Sequence, residues 1–431
     1  GGVGADEDVA ADGREIDRTT INMRVYNGHP GQQPDPLILA KEGFAPGYGG
    51  TAYVVFERLA LEEFGNRIPQ FSFEVVRRVP GAMDLVRAVT LIPGATEFGY
   101  DPATRSQSYG YGFTQSENRH QLQRESDLQA ALDHMQALLP ALRRVSVVVS
   151  WFGNDLRAGN CRIEPRVESH TKVVEGIDWA VAGLTRSSAT PVSRVGTNPA
   201  YGGTPSDAAV IAIIQNLKSR GLEVVVYPFI MMDVPTANGL PDPYGRATQP
   251  PYPWRGRVTC HPAPGQAGSV DSTATAAAQV AAFVGTVAPA DIYHDGTSVV
   301  CTKPDEWSFR RLVLHCARLA VAAGGVSAFV IGSELVGLTR VRSASGVYPI
   351  VSALVSIAAD VRVIMGPHTK LTYAADWTEY GAYSPPGTNN LHFPLDPLWA
   401  HPNIDLIGLD WYAPLSDRRE GEPRKTVSAL K

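Results

Sequence analysis

Hydrophobic and polar positions divide the chain into two regimes. Between residues 21 and 90, INMRVYNG, TAYVVFERLAL and QFSFEVVRRV are rich in β-branched and aromatic residues and are separated by turn pairs such as Asn27-Gly28 and Gly65-Asn66. That pattern predicts a small antiparallel β-rich module. Pro30, Pro34 and Pro36 predict an irregular connection after its first strand, with no helix between the runs. From about residue 120 the period changes. SDLQAALDHMQALLPALRR, PSDAAVIAIIQNLKSRG and WSFRRLVLHCARLAVAAGG have helical spacing, with Ser126 or Asp127 as N-cap of the first and Gly221 closing the second. Near-continuous apolar runs at 145–152, 178–185, 222–232, 327–335, 370–379 and 404–413 read as strands among these helices. Strands buried on both faces and separated by helices predict a parallel sheet with right-handed crossovers.

The ends of these runs share a chemical character. FVIGSEL carries an apolar run through two small residues to one carboxylate, Glu334; other runs end on Trp151 with Asp155, on Asp233, on Asp376 with Trp377 and Glu379, and on Asp410 with Trp411 and Tyr412. Polar groups gathered at the C-terminal tips of several strands are the mark of a (β/α)8 barrel. A doubly wound sheet would use one switch point and a glycine-rich phosphate turn, and no GxGxxG joins a strand to a helix here. The fold expected is therefore α/β: a small β-rich segment over 1–95, a connector with the first helix over 96–144, and a TIM-barrel-like domain over 145–431. Six strands cannot close a barrel at ordinary tilt. Either two strands lie unrecognised within 88–140 and 285–300, or the chain is a segment of a longer polypeptide; SDRREGEPRKTVSALK, which reads as a loop entering a further helix, favours the second. The proline-rich stretch 238–300, regular only at TATAAAQVAAFVGTV, is expected to be an insert covering the barrel mouth.

Composition narrows the partners. Over 431 residues, 44% are hydrophobic and 19% charged, and a net charge of -5 gives no electrostatic case for nucleic acid or an anionic membrane. Cys161, Cys260, Cys301 and Cys316 lack zinc spacing, so neither a structural metal nor a cofactor is expected, while a Cys260–Cys301 bridge would suit an oxidising compartment. No run reaches the roughly eighteen apolar residues of a membrane span. The opening GGVGADEDVAADG has neither region of a signal peptide and does not begin with Met.

Carboxylates interleaved with Trp and Tyr at a barrel mouth suit a carbohydrate, because aromatic faces stack on sugar rings and two carboxyl groups can flank a glycosidic bond. Glu334 is the candidate general acid/base; its structural alternative is a buried salt bridge with an arginine such as Arg340. Asp376, Glu379 and Asp410 are candidates for the second catalytic carboxylate, and Trp151, Asp155, Asp233, Trp377, Trp411 and Tyr412 for substrate contact or, equally, for packing and helix capping under the loops.

SWFGNDLRAGNCRIEP, VVVYPFIMMD, FVIGSELVGLT, YAADWTEYG and DLIGLDWYAPLSD resemble, in this order, the TIM-barrel glycoside-hydrolase-like domain of gene transfer agent tail (megatron) proteins. DPLILAKEGFAPGYGGTAYVVFERLALEEFGNRIPQFSFEV is similar to the tail-hub segment that precedes it in those proteins. The resemblance implies a baseplate component at the tip of a phage-like particle's tail, a homotrimer beside hub and distal tail proteins, assembled in the bacterial cytoplasm and directed at host-surface polysaccharide during DNA delivery. It also implies a longer full protein. Glu334 then corresponds to the fourth-strand acid/base of related glycosidases. Ser333 departs from the Asn that many of them carry, and the second catalytic position, on strand seven, has no match. A free-standing glycosidase with an accessory β module and a catalytically inactive glycan-binding barrel are the competing readings.

Overall fold

The computed structural model describes residues 6–76 and 81–412. In the N-terminal region Asp6–Ala11 pairs antiparallel with Arg14–Glu15 and Phe71–Val75, and Asn22–Asn27 pairs antiparallel with Ala52–Glu57. Stacked Phe56 and Phe71 rings, 4.3 Å apart, join the two. The proline-rich connection holds a helix that the prolines argued against, Pro36–Glu42. Pro36 stands in the first turn, where its missing N–H costs nothing, and the Asp35 carboxylate caps the Leu37 and Ile38 amides.

A seven-stranded sheet dominates the rest, and only its short strand Ile163–Glu164 is antiparallel. The six parallel strands follow chain order: β1 (Ala88–Leu91), β2 (Arg144–Gly153), β3 (Glu223–Met232), β4 (Ala328–Ser333), β5 (Lys370–Asp376) and β6 (Gly408–Asp410). Sequential parallel order is that of a (β/α)8 barrel. β1 and β6 form the free edges of this arc among the described residues. The run at 404–413 is a strand only over its last part, and the helix expected after SDRREGEPRKTVSALK lies, with that stretch itself, outside the described residues.

One strand assignment is corrected. The run at 178–185 is no barrel strand but a tight hairpin, Ala180–Val181 against Leu184–Thr185, turned at Ala182 and Gly183 with φ of 55° and 81°. Two successive positive φ values make a hairpin turn of the primed kind, so an Ala-Gly pair inside an apolar run acted as punctuation. The strand overlooked is β1, which pairs in parallel with β2 from Ala88↔Arg144 to Leu91↔Val147. It lies in the stretch expected to belong to the N-terminal segment. The two changes cancel in the count, and Glu334 still follows the fourth strand.

Helices α1 (Asp127–Leu138), α2 (Asp207–Ser219), α3 (Ala274–Val284), α4 (Phe309–Ala322) and α5 (Pro349–Met365) bury their apolar stripes in one large core outside the sheet; Ser126, Ser206, Thr273 and Ser308 cap the first four. A smaller cluster, Val148, Tyr227, Val330 and Ala374, fills the concave side. The insert after β3 contains α3 and the hairpin Ile292–His294/Val299–Cys301. All four cysteines are free, so Cys260 and Cys301 are not bridged.

The tip of β4 is irregular. Val330 pairs with Thr372 but Ser333 pairs with Ala374, one residue more on β4 than on β5. Gly332 has φ +153°, and a Cβ there would stand 2.7 Å from Phe309 Cζ. Such a bulge re-aims side chains. Gly332→Ala should therefore cost about 1–3 kcal/mol, as overpacking against a core helix does. Urea denaturation of the purified protein checks this, and a loss below about 0.5 kcal/mol, ordinary for a neutral surface change, would show that the bulge needs no glycine.

Candidate active site

Strict alternation along β4 would keep neighbouring residues on opposite faces. The bulge, followed by Glu334 at φ +51°, brings both Ser333 and Glu334 to the concave side. A non-glycine residue in the left-handed region is uncommon and, where surrounding bonds hold it, tends to mark a functional position. Two bonds hold it here: the Glu334 amide donates to Ala374 O (2.9 Å) and the Leu335 amide to the Tyr373 hydroxyl (2.8 Å).

Glu334 is buried, and the insert supplies its partners. Trp254 Nε1 donates to Oε2 at 2.7 Å, and Arg255 Nη2 lies 2.9 Å from the same oxygen. Arg255 also donates to the Ser333 hydroxyl (3.0 Å from Nη2) and carbonyl (3.1 Å from Nε), and its guanidinium lies 3.8 Å above the Phe229 ring. Glu334 thus has an arginine partner, but from the insert: Arg340 sits over the Tyr383 ring. Trp254 and Arg255 both come from the stretch 238–300, and nothing in the sequence singled out either residue.

Asp410, at the tip of β6, accepts from the Tyr227 hydroxyl at 2.9 Å and shares a cavity with Glu334, close enough for the two carboxyl groups to act on each other. Burial and the neighbouring Glu334 push its carboxyl up to about 6, against the opposing Tyr227 bond. Burial likewise raises the Tyr227 phenol. Both carboxyl groups line a cavity of about 510 Å³ whose walls include Thr90 of β1, Ser150 of β2, Phe229 of β3, Arg255 and Tyr412. The free edges β1 and β6 therefore face one space. Trp377 and Trp411 meet edge to face at 5.7 Å, and with exposures of 45% and 63% both leave ring surface open, but neither lines the cavity.

The other predicted residues lie elsewhere. Asp376 is in register with Asp410 across β5 and β6, yet its carboxylate accepts from the Thr378 amide (2.8 Å) and caps the short helix Trp377–Tyr380. Glu379 closes the same capping box, accepting from the Asp376 amide (3.1 Å) and the Tyr373 hydroxyl (2.9 Å). Its burial pushes the carboxyl up to about 7. Neither touches the cavity. Trp151 points to the outer core, fully buried against Trp307 and His315, because Ser150 and Phe152 take the concave face. Asp155 pairs with Arg157 (2.6 Å) and accepts from Gln249 (2.7 Å), which ties the β2 loop to the insert. Asp233 is held by Arg166 (2.6 Å) and the Ser193 amide (2.8 Å). These three serve packing and loop anchoring.

A cluster the sequence did not signal lies in the loops after β1 and β2. Oxygens of Glu97, Glu117 and Glu168 fall within 4.8 Å of one another, a spacing that would suit a cation. Lys172 Nζ already fills the place, 3.2 Å from Glu97, 2.5 Å from Glu117 and in contact with Glu168, and Arg186 adds a bond of 2.9 Å to Glu97.

Residues 307–429, from the start of α4 past the tip of β6, match the family described as the GTA TIM-barrel-like domain. The match covers less than a third of the chain. The matched stretch contains Glu334, Asp410, Trp377, Trp411 and Tyr412. Among solved structures, the chain is similar to one from the virion of a native gene transfer agent particle, with 54% identity over 19% of this chain and 19% of that one and a TM-score of 0.18. Two structures of a GH113 beta-1,4-mannanase, one of them a complex, match with 15% identity over 64% of this chain and 54% of theirs, at a TM-score of 0.32. The chain thus spans less than two thirds of the length of each. No curated protein sequence matches it. No helix among the described residues is long and apolar enough to cross a membrane.

Two measurable outcomes concern the buried groups at and beside this site. Removing one partner of a buried ion pair costs about 3–5 kcal/mol, because the other charge is left uncompensated. Arg255→Met should therefore cost about 3 kcal/mol in the natural background and less than about 1 kcal/mol when Glu334 is already Gln. Equal costs in the two backgrounds, read by urea denaturation, would refute the coupling. Glu379 has a folded-state value near 7 against an ordinary 4.5, so the folded chain binds more protons than the unfolded chain between these limits. Stability should fall as pH rises across that window, and Glu379→Gln should flatten the fall in melting temperature. A profile unchanged by the substitution would contradict the burial argument.

Proposed function

We propose that this protein is a structural component of the tail tip of a gene-transfer-agent-like particle, and that the mouth of its barrel binds a host-envelope polysaccharide and hydrolyses it. The observation that carries this reading is the Glu334–Asp410 carboxyl pair, set in a cavity of about 510 Å³ lined also by the Tyr227, Phe229 and Tyr412 rings. The cavity is the size of a small-ligand site. The particle setting is supported by the family match over residues 307–429. In that setting the protein would assemble as a homotrimer with hub and distal tail proteins, the segment before β1 docking on the hub, and would act in attachment before DNA delivery.

A second reading, glycan binding without cleavage, is favoured by the Arg255 bond to Glu334, which engages that carboxylate in a structural pair. One experiment separates the two. The purified protein, Glu334→Gln and Asp410→Asn are compared on envelope polysaccharide for sedimentation with the polymer and for release of reducing ends. Hydrolysis predicts release by the unaltered protein and a drop of about 10²–10⁴-fold in either variant, the usual contribution of a proton-transfer group. Binding with no release from any of the three sinks the hydrolytic part, and absence of binding sinks the glycan assignment altogether.

A further inference from the structure

The two carboxyl groups of the site differ in what surrounds them, and the difference assigns their states. Glu334 receives a guanidinium and an indole N–H on one oxygen, at 2.9 and 2.7 Å, both from the insert. Asp410 has no cation of its own among the described residues: from β3 it meets the Tyr227 hydroxyl, from β4 the Glu334 carboxylate, while Asp376, its register partner on β5, is turned to Thr378 and Arg255 is committed to Glu334 and Ser333. Two carboxyl groups close enough to act on each other cannot both carry full charge without severe repulsion, so one proton is shared unequally between them.

We propose that Asp410 carries this proton and Glu334 the negative charge, so that Asp410, rather than the glutamate at the β4 tip, is the proton donor of the site. Guanidinium and indole donors stabilise an anion, whereas among the described residues Asp410 forms no ion pair and feels Arg255 only across the cavity, so its proton can face Glu334. The direction of the Asp410 shift, upward through burial and through Glu334, agrees with this geometry. The assignment rests on the glycan reading for its consequence. The Asp410 proton would pass to the glycosidic oxygen, the C–O electron pair would leave with that oxygen, water would add its oxygen to the anomeric carbon, and the released proton would return to Asp410. Glu334 would stabilise the positive charge developing on the sugar ring.

The test reads the protons directly and needs no glycan, so it stands whether or not polysaccharide is bound or cleaved. Protein labelled with ¹³C at aspartate side-chain carboxyls, and separately at glutamate ones, is titrated by NMR. The expected result is an aspartate signal with a midpoint near 6 that is absent from Asp410→Asn and moves to lower pH in Glu334→Gln. A glutamate signal at that midpoint which disappears in Glu334→Gln would reverse the assignment, and an Asp410 signal fully ionised by about pH 4, the ordinary aspartate range, would overturn it. The residue-type labels alone decide between aspartate and glutamate in the unaltered protein, so the outcome does not depend on either variant folding.

Discussion

A charge taken out of water must be met by an opposite charge, and the buried contact between Arg255 and Glu334 is where that requirement shapes the barrel mouth. The carboxylate sits at the tip of β4, and the guanidinium comes from an insert nearly eighty residues earlier. Neither residue could be buried here alone. Their pairing fixes the insert over the mouth, while Ser333 and the Phe229 ring occupy the rest of the guanidinium, so one cation joins β3, β4 and the insert. The bulge at Gly332 serves the same contact by turning two consecutive residues to the concave side.

Around this centre the carboxylates divide according to their donors. Asp35, Asp155, Asp233 and Asp376 are each satisfied by arginines or backbone amides and hold loops or helix ends in place. Glu97, Glu117 and Glu168 surround Lys172. Asp410 stands apart: its partners are a phenol and another carboxyl, and it opens on the cavity. An acidic residue without a cation in a half-buried cleft is the kind most often put to chemical use. The Tyr227, Phe229 and Tyr412 rings line the same opening.

Much of the architecture was legible in the sequence because parallel strands buried on both faces must be apolar throughout, and such runs are visible without a partner. The runs that became β2, β3, β4 and β5 were located to within a few residues, and helices α1, α2 and α4 by their spacing. β1 escaped because four residues, AVTL, at the edge of a β-rich stretch carry too little period to stand out. The hairpin at 180–185 was mistaken for a strand because Ala-Gly inside an apolar run signals a turn only when its φ values are known. Glu334 could be suspected because a lone carboxylate ended an apolar strand; Arg255 could not, because its partner lies far away along the chain.

The sequence by itself determined the class of fold, the order of its parallel strands and the layer in which the acidic and aromatic residues would lie, since these come from local period and from where each strand stops. Only the tertiary structure decided which of those residues share a site. It sent Trp151 to the outer core, Asp376 and Glu379 to a helix cap, and Asp410 to the side of Glu334. The physical reason is that facing direction at a strand tip is set by bulges, capping bonds and partners distant in sequence, and a shift of one residue at such a tip exchanges the two faces.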